Sequence, residues 1–445
     1  MVGKSALVAL AAVLAAASMQ VGFAQEAIQR VQSRELPASF LDSVQPMHGH
    51  PSDSFTRVGM DKPGVHGVTP AATVGIPGVD TVENWSDQFV FPGFDSAGNP
   101  QSVWPYTMVG TPPESGQSTT IQAPVIPVSV ELLDANGHVA YRFRPSHDIT
   151  RAVLTSPVFE PFAFTSGTGQ YNDQMMRAEF WERINDGESN WHTNLEPHLK
   201  QMRHMQIPFL TASGTNAWQV VVSAAAGNPL LAMIDSDTFS NLLFPTTIPV
   251  TNGTPIGAAE LAGDITTQDI STFLFNDTVL FIGNVSVCCI VGFHGADVEP
   301  GDASNGNNTR FFVLNYSSWT SPDVFRFGAE DITAFSHEVA ETFNDPLVNN
   351  ATPWWLNTDR RTGAAICQNN LEVGDVIEIL SGNPVYAAAL NGRTYHPQNV
   401  ALFPWFAFQS PSSAHLGAYS FPDETTLLKL SPAPLLPGCK TPPPH

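Results

Sequence analysis

Apolar residues at positions 332, 335, 339 and 343 recur at the alternating three-and-four spacing that lines up one stripe of a helix. The residues are Ile332, Phe335, Val339 and Phe343. Nearly opposite them lie His337 and Glu341, one turn apart, with Glu338 at the edge of that second face. Asp331 reads as an N-cap, and Pro346 cannot continue the helix. The pattern predicts a short helix between these two residues. It buries its apolar stripe and turns an imidazole and a carboxylate toward a cleft.

Elsewhere the period shortens to that of strands. Val125–Leu132 is a strong strand signal, and Asn136-Gly137 follows as a turn. Ala217–Ala225 reads as a strand and Ser236–Leu243 as a short helix. Thr278–Ile282, Val285–Gly292 and Arg310–Tyr316 read as three more strands just ahead of the box helix. Met176, Phe180 and Ile184 recur every four residues and predict a helix after Asp173, with Gly187 as its stop. Residues 25–75 show no sustained period and carry His48, His50 and His66, so a flexible leader with solvated histidines is expected. The predicted organisation is α+β. A β-rich region over 76–200 precedes a zincin-like mixed α/β domain over 201–430, and a Pro-rich tail covers 431–445.

Composition narrows the function classes. The formal charge is −22, from 41 acidic against 19 basic residues. Such a balance disfavours nucleic acid or an anionic membrane surface as partner, and favours a cation. Lys4, the apolar run Ala6–Ala17 and the small residues at Gly22 and Ala24 predict a signal peptide over 1–24, hence a secreted protein. No other window is long and apolar enough to span a bilayer, so no integral membrane association is expected. Export permits disulfides. Adjacent cysteines rarely bond, so Cys288 or Cys289 is expected to reach Cys367 or Cys439.

The box His337-Glu338-Val339-Ala340-Glu341 has the spacing of a zinc helix with a Glu in place of the second His. His337 and Glu341 would be two metal ligands. Glu338 would be the general base, taking a proton from the attacking water and passing it to the leaving amine. Glu372 is the first choice for a third ligand. Asp375 would then support the other nitrogen of His337; alternatively Asp375 ligates and Glu372 supports. Zinc is the expected metal. The second carboxylate makes the site harder and more tolerant of manganese or calcium. His294 and His396 could approach the cleft, although an ordinary structural histidine is the commoner fate.

The run Ser336–Asn349, then Trp354-Trp355 and Glu372-Val-Gly-Asp375, resembles the Exordium or phosphate-induced protein 1 family of plants. It also resembles secreted bacterial proteins with a Ser-His-Glu-x-x-Glu box and a Cys-Cys-x-x-Gly-Tyr-His segment, here Cys288–His294 with Phe at 293. The resemblance covers residues 280–406. It implies an extracellular protein with a zincin-like metal site at His337, Glu338, Glu341, Glu372 and Asp375, in a family of poorly defined activity. Two functions are therefore expected to compete. One is a secreted zinc-dependent hydrolase, a peptidase acting on peptide or another extracellular polymer. The other is a non-catalytic extracellular or cell-surface protein with a structural or vestigial metal site.

Overall fold

A computed structural model describes residues 34–44, 47–48, 75–94, 100–223, 228–322, 324–325, 329–358, 365–380 and 384–431. The expected signal segment, 1–24, and nearly all of the Pro-rich tail lie outside the described residues, as do His50 and His66.

The first strands are β1 (Glu35–Pro37), β2 (Met47–His48), β3 (Asn84–Phe94), β4 (Pro100–Val109), β5 (Ser118–Leu133) and β6 (Val139–Phe143). Helix α1 (His147–Leu154), the hairpin β7 (Phe162–Phe164) and β8 (Gly167–Gly169), and helix α2 (Tyr171–Glu179) follow. Next come β9 (His192–Leu199), β10 (Arg203–Ile207), β11 (Trp218–Val222) and β12 (Pro229–Asp235), then α3 (Ser236–Leu243) and α4 (Pro255–Leu261). Strands β13 (Ser271–Asn276), β14 (Thr278–Phe281), β15 (Cys288–Glu299) and β16 (Arg310–Trp319) lead into α5 (Thr333–Asn344), the box helix. Beyond it lie β17 (Ala351–Thr358), β18 (Ala365–Asn370) and α6 (Asp375–Leu380).

Helices and one large mixed sheet make the chain α+β. The sheet has 12 strands, in the order β1-β11-β12-β14-β15-β16-β13-β5-β10, with β2 also on β15 and β6 and β9 also on β5. Strand β5 pairs in parallel with β13, β10 and β9. The sheet therefore draws on both sides of residue 200, where the sequence suggested a boundary. The leader is not bare either: β1 pairs with β11, Leu41 is buried, and β2 lies along β15 opposite Ile290 and Gly292.

Alternation on the strands sends side chains into two layers. On β16, Phe311 and Val313 join the core under α5 and α2, while Leu314 and Tyr316 join the core on the other face, with Phe239 of α3 and Ile256 of α4. No helix among the described residues is long and apolar enough to cross a membrane.

The cysteines differ from expectation. Cys288 and Cys289 bond to each other, and Cys367 is also disulfide-bonded. The adjacent pair sits at the start of β15, buried with Leu41, Phe281 and Phe325. Neither sulfur reaches across to a distant cysteine.

Candidate metal centre

Helix α5 lies on β15 and β16, with Ile332, Phe335, Val339 and Phe343 in the main core. The apolar stripe thus behaves as the spacing predicts. Its cap does not. Asp331 has a left-handed backbone (φ 44) and stands outside the helix, whose N-cap is Ile332. The Asp331 carboxylate instead takes the amide of His396 at 3.0 Å and its ring Nδ1 at 2.8 Å. This pairing makes His396 a structural histidine, tied down before the box begins.

The polar face is the larger correction. Every residue of α5 is buried, and His337, Glu338 and Glu341 are 0% exposed. The imidazole and carboxylates face the protein interior. The reason is that strands and loops cover both sides of the helix: β15 on one, the 371–375 turn and the 396–399 segment on the other. Gln398 donates its side-chain N–H to the Gly374 carbonyl and its backbone N–H to Ser336 Oγ. Tyr171 of α2 donates to the Gln398 carbonyl at 2.6 Å.

The cluster is built from three stretches of chain. Helix α5 gives His337, Glu338 and Glu341. Strand β15 gives His294, which is 3% exposed. The turn into α6 gives Glu372 and Asp375, both buried. His294 Nδ1 lies 3.3 Å from Glu341 Oε2, 3.6 Å from Glu338 Oε2 and 3.9 Å from Glu372 Oε2. His337 Nε2 lies 3.0 Å from Glu341 Oε1 and 3.7 Å from Asp375 Oδ1. Asp375 therefore approaches the same ring nitrogen as Glu341, not the other one. Backbone N–H groups of Gly374 and Asp375 donate to Glu341 Oε1 at 3.0 and 3.3 Å and fix its plane.

Two glycines make this density possible. A Cβ at Gly292 would overlap the Glu338 carboxylate, and one at Gly374 would overlap the His337 ring. Both positions must be bare for the side chains to fit.

The electrostatics follow from putting four carboxylates and two imidazoles out of water. Burial pulls the His337 imidazolium down, but Glu341 in contact and Glu338 nearby more than offset it, to about 10. His294 is likewise raised well above its ordinary value: burial opposes, and Glu372, Glu338 and Glu341 prevail. Burial opposes ionisation of Glu341, yet the two histidines hold it well below the usual carboxylate range. Glu372 goes the other way, pushed well up by burial and by Glu341 beside it. No donor reaches either oxygen of Glu372, Glu341 Oε2 or His294 Nε2 in hydrogen-bonding geometry. Buried acceptors with nothing to accept are costly, at about 1–3 kcal/mol each and more when charged. In the metal-free protein protons supply the missing positive charge.

These donors suit a divalent cation. Imidazole nitrogen with carboxylate oxygen serves zinc, and the excess of carboxylates also suits manganese. Within this cluster two groups of three are close enough to hold an ion: His294 with Glu338 and Glu341, and His337 with Glu341 and Asp375; Glu260, Asp297 and Glu299 form a third group elsewhere. His294 is the member that the box alone does not announce. Its signal is the Gly292-Phe293-His294 alternation, which puts a bare backbone and an imidazole on the α5 side of β15 and Phe293 in the opposite core. No family model, curated protein or solved structure matches this chain.

Proposed function

We propose that this chain is a secreted metalloprotein whose divalent ion ties α5 to β15 and to the 372–375 turn. One observation carries this reading. Six ionisable side chains from three stretches of chain converge in the interior, and the buried carboxylate of Glu372 has no donor. Isolated buried carboxylates cost several kcal/mol each unless a cation compensates them. The ion would be zinc or manganese, held by His337, Glu341 and Asp375 with His294 and Glu372 adjacent. Its role would be chiefly to hold the fold, because none of these groups meets solvent.

A second reading, the metal-dependent hydrolase of peptides or other extracellular polymers, is favoured by Glu338. A structural site needs no base beside the histidine of the box, yet Glu338 stands within the cluster, 3.6 Å from His294 Nδ1. A divalent ion would supply Lewis acidity there. Glu338 would hold the proton taken from water, and His294 would steady the charge on the substrate. In that case the buried cluster must open to admit a substrate.

The test is metal analysis of the purified full chain. The expected result is at least one equivalent of transition metal, with less bound in His337→Ala. Below about a tenth of an equivalent in the wild type, the metalloprotein reading fails. Chelation should lower the melting temperature by roughly 3–6 °C, the equivalent of removing a ligand held near 100-fold above its Kd. Hydrolysis of an unfolded protein substrate that disappears in Glu338→Gln, with metal retained, would establish the second reading over the first.

A further inference from the structure

Both histidines touch Glu341, and they touch different atoms of it. Oε2 faces His294 and Oε1 faces His337, at 3.3 and 3.0 Å. The other donors divide along the same line. Glu338 Oε2 and Glu372 Oε2 stand 3.6 and 3.9 Å from His294 Nδ1, while Asp375 Oδ1 stands 3.7 Å from His337 Nε2. The two triads that could hold an ion have only Glu341 in common.

Charge points the same way. Glu338, Glu341, Glu372 and Asp375 carry four formal negative charges at most 5% exposed, beside two imidazoles that ligate as neutral groups. A single divalent ion would balance two of these charges and leave the other two to be neutralised by protons. Two divalent ions would balance all four. A carboxylate whose oxygens face two separate nitrogen donors is the arrangement of a bridging ligand.

We infer that the cluster is a two-ion centre bridged by Glu341, a deepening that rests on the metalloprotein reading above. One divalent first-row ion is held by His294, Glu338, Glu372 and Glu341 Oε2. The second is held by His337, Asp375 and Glu341 Oε1. The amides of Gly374 and Asp375 donate to the bridging carboxylate and hold it in place. Glu338 is then a ligand of the first ion, which explains why it is enclosed with the cluster rather than turned to solvent.

The experiment loads the full chain with Mn²⁺ alone or Zn²⁺ alone, removes excess by gel filtration, and counts metal per chain. Two equivalents are expected for the wild type. Each of His294→Ala and His337→Ala should fall to about one, and Glu372→Gln should lower affinity for one equivalent only. Mn²⁺-loaded wild type should show the broadened, spin-coupled electron paramagnetic resonance spectrum of a close pair, which needs no variant to fold. His294→Ala should return it to the six-line pattern of an isolated ion. One equivalent in the wild type, retained in His294→Ala and lost in His337→Ala, overturns the pair and leaves the metalloprotein reading standing. Two equivalents without spin coupling place the second ion elsewhere and also overturn it. No bound metal overturns both.

Discussion

At the scale of single residues, the two bare positions are the most sensitive probes of the centre. Gly292→Ala puts a methyl into the Glu338 carboxylate and Gly374→Ala puts one into the His337 ring. Neither neighbour has room to retreat, since both are 0% exposed. Each variant should weaken metal binding by roughly 10–100-fold, as loss of supporting contacts around a metal ligand commonly does. Competition against a chromophoric chelator would measure it, and unchanged affinity would show that the cluster relaxes. Glu179 offers a probe away from the centre. It is 1% exposed, accepts the Phe403 amide, has the Asn344 side chain against it, and burial raises its carboxyl to about 8. A raised folded value means that the native state binds the proton more tightly. Stability is therefore full below about pH 4.5 and is lost as pH rises toward 8. Glu179→Gln keeps an acceptor for Phe403 and offers an N–H to Asn344 Oδ1, which has no partner. At pH 9 it should be more stable than wild type by on the order of 3 kcal/mol, and near equal at pH 5. Urea melts at the two pH values would check this; a difference independent of pH would reject it.

At the scale of elements, the box helix was legible from its period and its stop, because helix geometry alone decides which residues share a face. What the period could not give was the environment of the second face. A polar stripe opposite an apolar one ordinarily meets water. Here it meets β15 and the 372–375 turn, and nothing in residues 331–346 encodes that. His294 was similarly half-visible. Its strand could be read, but which face of β15 lies under α5 depends on pairing with β16, a tertiary fact. Asp331 illustrates the converse: an acceptable N-cap by type was taken by a stronger local partner, His396. The disulfide expectation failed because it rested on a rule about typical spacing, and Cys288 and Cys289 are an exception that bond each other. The stripe itself is open to test. Phe343 is 0% exposed. Phe343→Ala should therefore cost about 3–5 kcal/mol in chemical unfolding, and a cost below about 1 would show that α5 is not anchored as described.

At the scale of the molecule, the sheet settles what composition could not. The change from a β-rich region to a mixed one near residue 200 is real in the sequence, yet β5 lies between β13 and β10 and pairs with both. Val125, Ile126 and Pro127 stand opposite Thr272, Phe273 and Leu274 in the middle of the sheet. A fragment beginning at residue 201 would lose β5 and leave unpaired edges on two strands, which invites aggregation. Expressed alone, residues 201–431 should be insoluble or lack a cooperative melt. A sharp thermal transition in that fragment would show that the shared sheet is dispensable.

Those same parallel pairings bear on the order in which the molecule can be made. Ladders between distant stretches close large loops before they return any contact energy, so they form slowly. The site lies apart from those ladders: His294 sits on the antiparallel pair of neighbours β15 and β16, and Gly374 grips Glu341 once the chain beyond α5 has turned back. The six ionisable groups all lie between residues 294 and 375, so they can meet by closures shorter than those of the β5 ladders. A cation captured by them would therefore act first on the local unit from β15 to α6, and only afterwards on the sheet as a whole.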